Sequence, residues 1–284
     1  MIVITGATGQ LGRLVIQNLL KTTPAAHIVA AVRSPEKARD LAAQGVVVRQ
    51  ADYTQPASLV AAFQGAEKVL LISSSEVGQR LPQHQAVIEA AAKAGVKLVA
   101  YTSILHADTS PLGLADEHKA TEALLTKSGL PHVLLRNGWY TENYVGSAPA
   151  AAAHGAVLGA AKDGRIASAA RADYAAAAAA VLVAQDQAGK VYELAGDTSY
   201  TLTELATEIA RQSGKPVAYQ DMPQAASAEA LASMGLPAGL AQMLAESDVG
   251  ASKGGLFDDS KQLSQLIGRP TTPLAESVKQ ALAG

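Results

Sequence analysis

A strand of four residues, Ile2–Thr5, runs straight into the turn Gly6-Ala7-Thr8-Gly9-Gln10-Leu11-Gly12, and Leu11, Leu14, Val15 and Leu19 then recur at helical spacing. Few folds accept a strand, a glycine-punctuated turn and an amphipathic helix in such close succession. The unit repeats in outline. Near-continuous apolar runs at residues 28–33, 46–49, 69–73, 98–103 and 133–136 alternate with longer helix-period segments. Runs without polar alternation fit strands covered on both faces. Ser34-Pro35-Glu36 adds an N-cap followed by proline at a first helical position. The rhythm predicts an α/β protein with a doubly wound parallel sheet. A strand at 191–194, after a helix over 173–185, is expected to join it.

From about Asn137 the rhythm loosens into a Gly- and Ala-rich stretch, followed by helices and one expected strand at 217–220. These pieces predict a smaller C-terminal α/β lobe: residues 1–136, completed by about 165–196, form the main domain, and 137–164 with 197–284 form the lobe. The alanine run at 175–180 reads as a tightly packed helix, because alanine is the best helix former. Composition narrows the chemistry. The formal net charge of −2 leaves no basic footprint for nucleic acid. With no cysteine, the chain has no disulfide, thiolate nucleophile or thiolate-held metal. The six histidines lack metal-ligand spacing, so no metal site is expected. The start carries no basic leader, and the longest apolar stretch, 175–184, is half of the ~20 residues a bilayer span needs. No membrane insertion and a cytoplasmic location are expected; the oligomeric state is left open.

The glycine turn carries a specific chemistry. Gly6 permits the tight turn, Gly9 lets a pyrophosphate approach the backbone, and Gly12 lets helix and strand pack closely. The phosphates then face the helix N-terminus. At the end of the second strand, where an acidic residue would hold ribose hydroxyls, this chain has Arg33, 21 residues beyond Gly12. A guanidinium holds a 2′-phosphate, so NADP(H) is the expected cofactor. Asp52-Tyr53 and Ser73-Ser74-Ser75 follow the third and fourth strands, where ligands bind in open α/β sheets. Tyr53 is placed beside the adenine, and Ser73, Ser74 and Ser75 beside the ribose and nicotinamide; hydroxyl-rich turns are equally good helix caps.

The chain resembles the NmrA-like branch of the atypical short-chain dehydrogenases/reductases, and within it the bacterial type-2 NAD(P)H:quinone oxidoreductases. The resemblance is carried by residues 6–12, by Ile72-Ser73-Ser74-Ser75-Glu76-Val77-Gly78-Gln79-Arg80, by Leu135-Arg136-Asn137-Gly138-Trp139-Tyr140-Thr141-Glu142-Asn143-Tyr144 and by residues 247–261. It implies a Rossmann-type sheet and NADP contacts from Gly6, Ala7, Thr8, Gly9, Gln10 and Leu11, and from Arg33 and Ser73 to Ser75. It further implies contacts from Asn137, Gly138, Trp139, Tyr140, Thr141, Glu142 and Arg171. Reduction of a small quinone without flavin is the activity it implies.

One departure bears on mechanism. If Glu122 is the family's helical glutamate, the usual Tyr-x-x-x-Lys pair falls on Leu114 and His118. Ser103 matches the usual catalytic hydroxyl but cannot run a proton relay alone, which counts against alcohol dehydrogenation. Hydride delivery to a quinone leaves a phenolate-type anion, for which a positioned acid matters less. Tyr140, Asn143 and Tyr144 are candidates around the quinone, with Asn143 donating to its oxygen or simply fixing a loop. His118, within Asp116-Glu117-His118-Lys119, is expected on a solvated helix face, and Asp258-Asp259 at the N-terminus of a helix through 266. A coenzyme-binding sensor without turnover, and a reductase of an enone or imine, are the competing readings.

Overall fold

The computed structural model describes residues 1–283 and divides into two compact units. The first comprises Met1–Ala107, Asp116–Asn137 and Arg171–Glu193. Its strands are β1 (Ile2–Thr5), β2 (Ile28–Val32), β3 (Val47–Gln50), β4 (Lys68–Leu71), β5 (Leu98–Ile104) and β6 (His132–Asn137). In a later segment, Val191–Leu194 forms a strand that lies next to β6; it is β8 in chain order, after β7 (Ala156–Gly159) of the other unit. The order across the sheet is β3-β2-β1-β4-β5-β6-β8, and the five pairings from β3 to β6 are parallel. β1 therefore lies between β2 and β4, where the order reverses, and its carboxyl end is the place an open α/β sheet offers a ligand. This is the doubly wound, Rossmann-type α/β sheet that the sequence rhythm predicts.

Alternate residues of each strand bury against opposite layers. Val3, Val29, Val69, Val99 and Tyr101 join one core with Leu59, Phe63, Val87 and Leu125. Those last four come from α3 (Pro56–Ala62) and the residue after it, α4 (Arg80–Lys93) and α5 (Ala115–Ser128). On the other face, α1 (Gln10–Leu19) buries Leu11, Val15, Ile16 and Leu19 and packs against α8 (Arg171–Val183). The alanines of α8 let the two helices approach: Ala175, Ala177 and Ala178 are fully buried. Between β2 and β3 the proline-initiated segment is a 3-10 turn, Pro35–Ala38, leading into the short α2 (Arg39–Ala43).

The second unit comprises Asp108–Ala115, Gly138–Ala170 and Leu194–Gly284. β7 pairs in parallel with β9 (Ala218–Asp221). The helices are α6 (Glu142–Val145), α7 (Ala148–His154), α9 (Leu202–Ser213), α10 (Gln224–Ser233), α11 (Ala238–Ala251), α12 (Gln262–Ile267) and α13 (Leu274–Ala283). α9 opens on a full capping box: Thr201 accepts from the Glu204 N–H, and Glu204 reaches back to the Thr201 N–H. β7 is a strand that the Gly- and Ala-rich stretch did not announce, and one local reading of the sequence is corrected. Asp258 is not a helix cap: it accepts from the N–H and hydroxyl of Ser260 in a turn, and the helix begins after Lys261, which adopts φ 57°. Among the described residues, no helix is long and apolar enough to cross a membrane.

Candidate functional site

The turn after β1 is built around two glycines that no other residue replaces without strain. Gly6 has φ 58°, a left-handed conformation that L side chains resist. A Cβ on Gly12 would stand 2.6 Å from the Gly6 carbonyl oxygen and 2.8 Å from Ala7 Cα, so the first turn of α1 lies directly on the loop. Gly9, the exposed N-cap residue of α1, donates to the Gly6 carbonyl at 2.9 Å, and no side chain caps the helix. Ala7 and Leu11 are buried, whereas Gly6, Gly9 and Gln10 are open to solvent and Thr8 is half-buried. An uncapped helix start behind bare backbone is the cradle a pyrophosphate requires. Arg13 braces it: Nε donates to the Thr8 carbonyl at 3.2 Å, Nη2 to the Lys37 carbonyl at 2.7 Å, and Nη1 pairs with Asp40. The guanidinium beside Asp40 holds that carboxyl below its usual pKa.

Arg33 follows β2 with a side chain that is 70% exposed, within 3.2 Å of Glu76. Tyr53, placed beside the adenine from its position, also has a structural task. Its hydroxyl lies 2.5 Å from Thr5 Oγ1 and 2.9 Å from the Ile72 carbonyl, and so ties the ends of β1 and β4 together. Thr5 Oγ1 completes the joint, donating to the Leu70 carbonyl and accepting from the Ile72 N–H. Burial pushes the Tyr53 phenol far above its usual pKa. Any adenine contact would come from its ring.

Residues 73–75 leave the sheet because their backbone is captured by side chains. Ser73 N–H donates to Thr102 Oγ1 and Ser74 N–H to His84 Nε2, both at 2.9 Å. Arg80 Nε donates to the Ser74 carbonyl at 2.6 Å. Because Nε2 accepts, the proton of His84 is on Nδ1, which donates to Thr121 Oγ1 at 2.9 Å; Thr121 then donates to the Glu117 carbonyl. Burial, reinforced by Arg80, lowers the His84 pKa to about 4 and keeps the ring neutral. Two polar atoms are buried without a hydrogen-bond partner at these strand ends: Ser73 Oγ and Asn137 Oδ1. Orphaned buried polar atoms are costly and call for a partner, and together with the glycine cradle they fit a dinucleotide. Arg171, half-buried, begins α8.

Two readings of polar residues change. His118 is not on a solvated face: it is 6% exposed, its Nδ1 lies 2.7 Å from the Tyr101 hydroxyl, and burial lowers its pKa to about 3. Ser103 is no free hydroxyl, since it donates to Glu122 Oε1 at 2.5 Å. Glu122 in turn clamps Arg136, with contacts of 3.0 Å and 2.6 Å, and Glu193 holds the other side of that guanidinium at 3.0 Å. The cluster is a structural lock between β5, β6, β8 and α5.

In the second unit, Tyr140 forms an isolated bridge with Ala169, Trp139 is buried, and Thr141 Oγ1 pairs with Ser168 Oγ at 2.8 Å. Gly138 N–H donates to the Leu194 carbonyl. Glu142 opens α6 and Asn143 follows it, exposed, with no side-chain hydrogen bond among the described residues. Tyr144, a candidate around the quinone, has a partner within this unit. Its hydroxyl donates to Asp248 at 2.9 Å, and Asp248 also accepts from the Ala160 N–H. Burial raises the pKa of both groups. The same unit has an open cavity of about 450 Å³ lined by Lys162, Arg165, Ser252 and Phe257, which includes none of the residues singled out for the coenzyme. Arg13, His84, Thr102 and Arg80 were not foreseen, and no spacing rule marks them; they act by holding backbone.

The comparisons with known proteins agree with this geometry. Residues 6–185 match the NAD(P)H-binding family. The chain is 68% identical over 278 residues, 98% of its length and 97% of the relative's, to quinone oxidoreductase 2 of Escherichia coli (strain K12). The crystal structure of an NADPH-dependent quinone oxidoreductase from Escherichia coli complexed with NADPH matches with a TM-score of 0.97 at 68% identity, over 99% of both chains. Triphenylmethane reductase from Citrobacter sp., complexed with NADP(H), matches with a TM-score of 0.96 at 42% identity, over 99% of this chain and 100% of that one. By these measures the chain belongs to the NAD(P)H-binding family, in the group that includes Escherichia coli quinone oxidoreductase 2.

Proposed function

We propose that this protein reduces quinones by two electrons at the expense of NADPH, without a flavin. The observation that carries the reading is the bare backbone cradle of Gly6, Gly9 and Gly12 in front of an uncapped helix, joined to 68% identity with a quinone oxidoreductase over nearly the whole chain. When bound, the coenzyme supplies a hydride from its reduced nicotinamide ring. The residues of the chain do the rest. Residues 6–11 hold the pyrophosphate, and Arg33 holds the 2′-phosphate through charge-assisted hydrogen bonds. Ser73 Oγ and Asn137 Oδ1 satisfy their orphaned atoms on the ribose and carboxamide side. Ser74, Ser75, Arg171 and the segment Gly138 to Glu142 complete the coenzyme contacts. The unengaged amide of Asn143 donates to the quinone oxygen as charge develops on it.

No side chain is assigned as proton donor. His118 and His84 are buried and neutral, Ser103 donates to Glu122, and Tyr144 donates to Asp248. A phenolate-type product accepts its proton from water, so positioning rather than acid catalysis dominates the rate. We place the enzyme in the cytosol, in line with its lack of cysteine. A second reading, a reductase of triphenylmethane-type cations, draws on the 42% identity to the Citrobacter enzyme.

The test is a substrate panel with purified protein and NADPH, following loss of the reduced nicotinamide. Quinones should rank first in kcat/KM; dyes ranking above them would reverse the order. Arg33→Ala should erase the preference for NADPH over NADH, and an unchanged preference would remove Arg33 from the coenzyme site.

A further inference from the structure

Arg33 already has an anionic partner. Its Nη1 lies 3.2 Å from Glu76 Oε1. Glu76 is not a drifting surface carboxylate: its other oxygen accepts from Gln83 Nε2 at 2.7 Å, and Gln83 is 6% exposed. Its backbone is fixed as well, the N–H donating to Ser74 Oγ at 3.1 Å and the carbonyl accepting from the Gln79 N–H at 2.9 Å. A buried amide therefore aims a carboxylate at the guanidinium expected to bind phosphate. The second acid nearby, Asp52, is turned elsewhere: its Oδ1 accepts from both the N–H and the hydroxyl of Thr54, which hold its pKa low ahead of a smaller contribution from Arg33.

We infer that Glu76 is an internal stand-in for the 2′-phosphate and sets how strongly this enzyme discriminates NADPH from NADH. The inference rests on Arg33 being the 2′-phosphate ligand. NADPH must displace the Glu76 carboxylate from Arg33 and then sit beside it, whereas NADH leaves the ion pair intact. Glu76 thus lowers affinity for the phosphorylated coenzyme selectively, and it holds Arg33 extended in the free protein. An exposed pair of this kind is worth up to ~1 kcal/mol, which is about fivefold in affinity.

The experiment measures Kd by calorimetry for two fragments that differ only at the ribose, adenosine 2′,5′-bisphosphate and adenosine 5′-monophosphate. Glu76→Gln keeps a hydrogen-bonding amide of the same length and should tighten the bisphosphate by about three- to fivefold, leaving the monophosphate within about twofold. The gain should shrink sharply in an Arg33→Ala background. A bisphosphate Kd that is unchanged or weaker in Glu76→Gln overturns the inference, and so does a gain that persists in full without Arg33. Arg33→Ala by itself separates the two claims. If it leaves the preference for bisphosphate intact, the assignment of Arg33 fails; if it abolishes the preference while Glu76→Gln does nothing, only the role of Glu76 fails.

Discussion

Gly12→Ala adds one methyl group at the tightest point of the phosphate turn. Its Cβ would lie 2.6 Å from the Gly6 carbonyl oxygen, 2.8 Å from Ala7 Cα and 3.1 Å from Gly6 C. All three are backbone atoms, so no rotamer relieves the contact. To reach the 3.4 Å of ordinary contact, α1 must retreat by ~0.8 Å from the loop. Two effects oppose each other. Alanine inside a helix gains ~1 kcal/mol over glycine, and overpacking against an unyielding neighbour costs about 1–3 kcal/mol or more. The clash prevails, with a net loss of ~1–2 kcal/mol. The same retreat withdraws the helix N–H groups from the phosphates, and coenzyme affinity should fall at least about tenfold, or ~1.4 kcal/mol. Gly9→Ala is the comparison: its Cβ meets only the Gly6 oxygen, at 3.1 Å, and alanine is a poorer N-cap than glycine by about 0.5–1 kcal/mol. It should lose about 1 kcal/mol of stability, less than Gly12→Ala, yet bind NADPH poorly, because the methyl group occupies the phosphate's approach. Urea unfolding midpoints and calorimetric titrations with NADPH read the two effects separately. A Gly12→Ala protein more stable than wild type by the full helix-propensity gain, with unchanged affinity, would refute the close packing of helix on loop.

Two further outcomes follow from buried groups. His84 and His118 stay neutral in the fold, with pKa values near 4 and 3 against an ordinary 6.5, so the unfolded chain takes up their protons first on acidification. Stability is complete above pH 6.5 and falls by as much as ~1.4 kcal/mol per pH unit for each histidine as pH drops towards those folded values; replacing both with glutamine should flatten urea midpoints between pH 6.5 and 5, and an unaltered slope would contradict the assignment. Arg136→Met leaves the buried Glu122 carboxylate and the half-buried Glu193 carboxylate without their shared cation and should cost ~3–5 kcal/mol; a midpoint unmoved at constant m-value would show that the lock does not hold the β5–β6–β8 edge.

The glycine turn was readable because a backbone constraint leaves its mark in residue identity: glycine takes φ 58° at position 6 without strain and avoids the backbone clash a Cβ would make at position 12. Arg33 was singled out from chain position alone, and the structure adds that it directly follows β2 and pairs with Glu76. His118 was misread for an instructive reason. Asp116, Glu117 and Lys119 around it suggest solvent, yet His118, Thr121, Glu122 and Leu125 share one buried face of α5. That face is polar because it satisfies Tyr101, His84, Ser103 and Arg136, and hydrophobic periodicity does not see a buried stripe made of hydrogen-bonding groups. β7 escaped notice because it is four residues long and contains a single β-branched residue, Val157; its strand character comes from pairing with β9, some 60 residues away. The partner of Tyr144 was not legible, because nothing near it in sequence announces Asp248.

The central claim is that the purified chain, free of flavin, passes a hydride from bound NADPH to a quinone. The direct measurement is the rate of benzoquinone-dependent oxidation of NADPH carrying deuterium at the transferring C4 position, compared with unlabelled NADPH under anaerobic conditions. Oxidation well above the uncatalysed rate is expected, slowed by deuterium and unaffected by added flavin. NADPH that binds but is not oxidised, or oxidation that begins only when flavin is supplied, would contradict it.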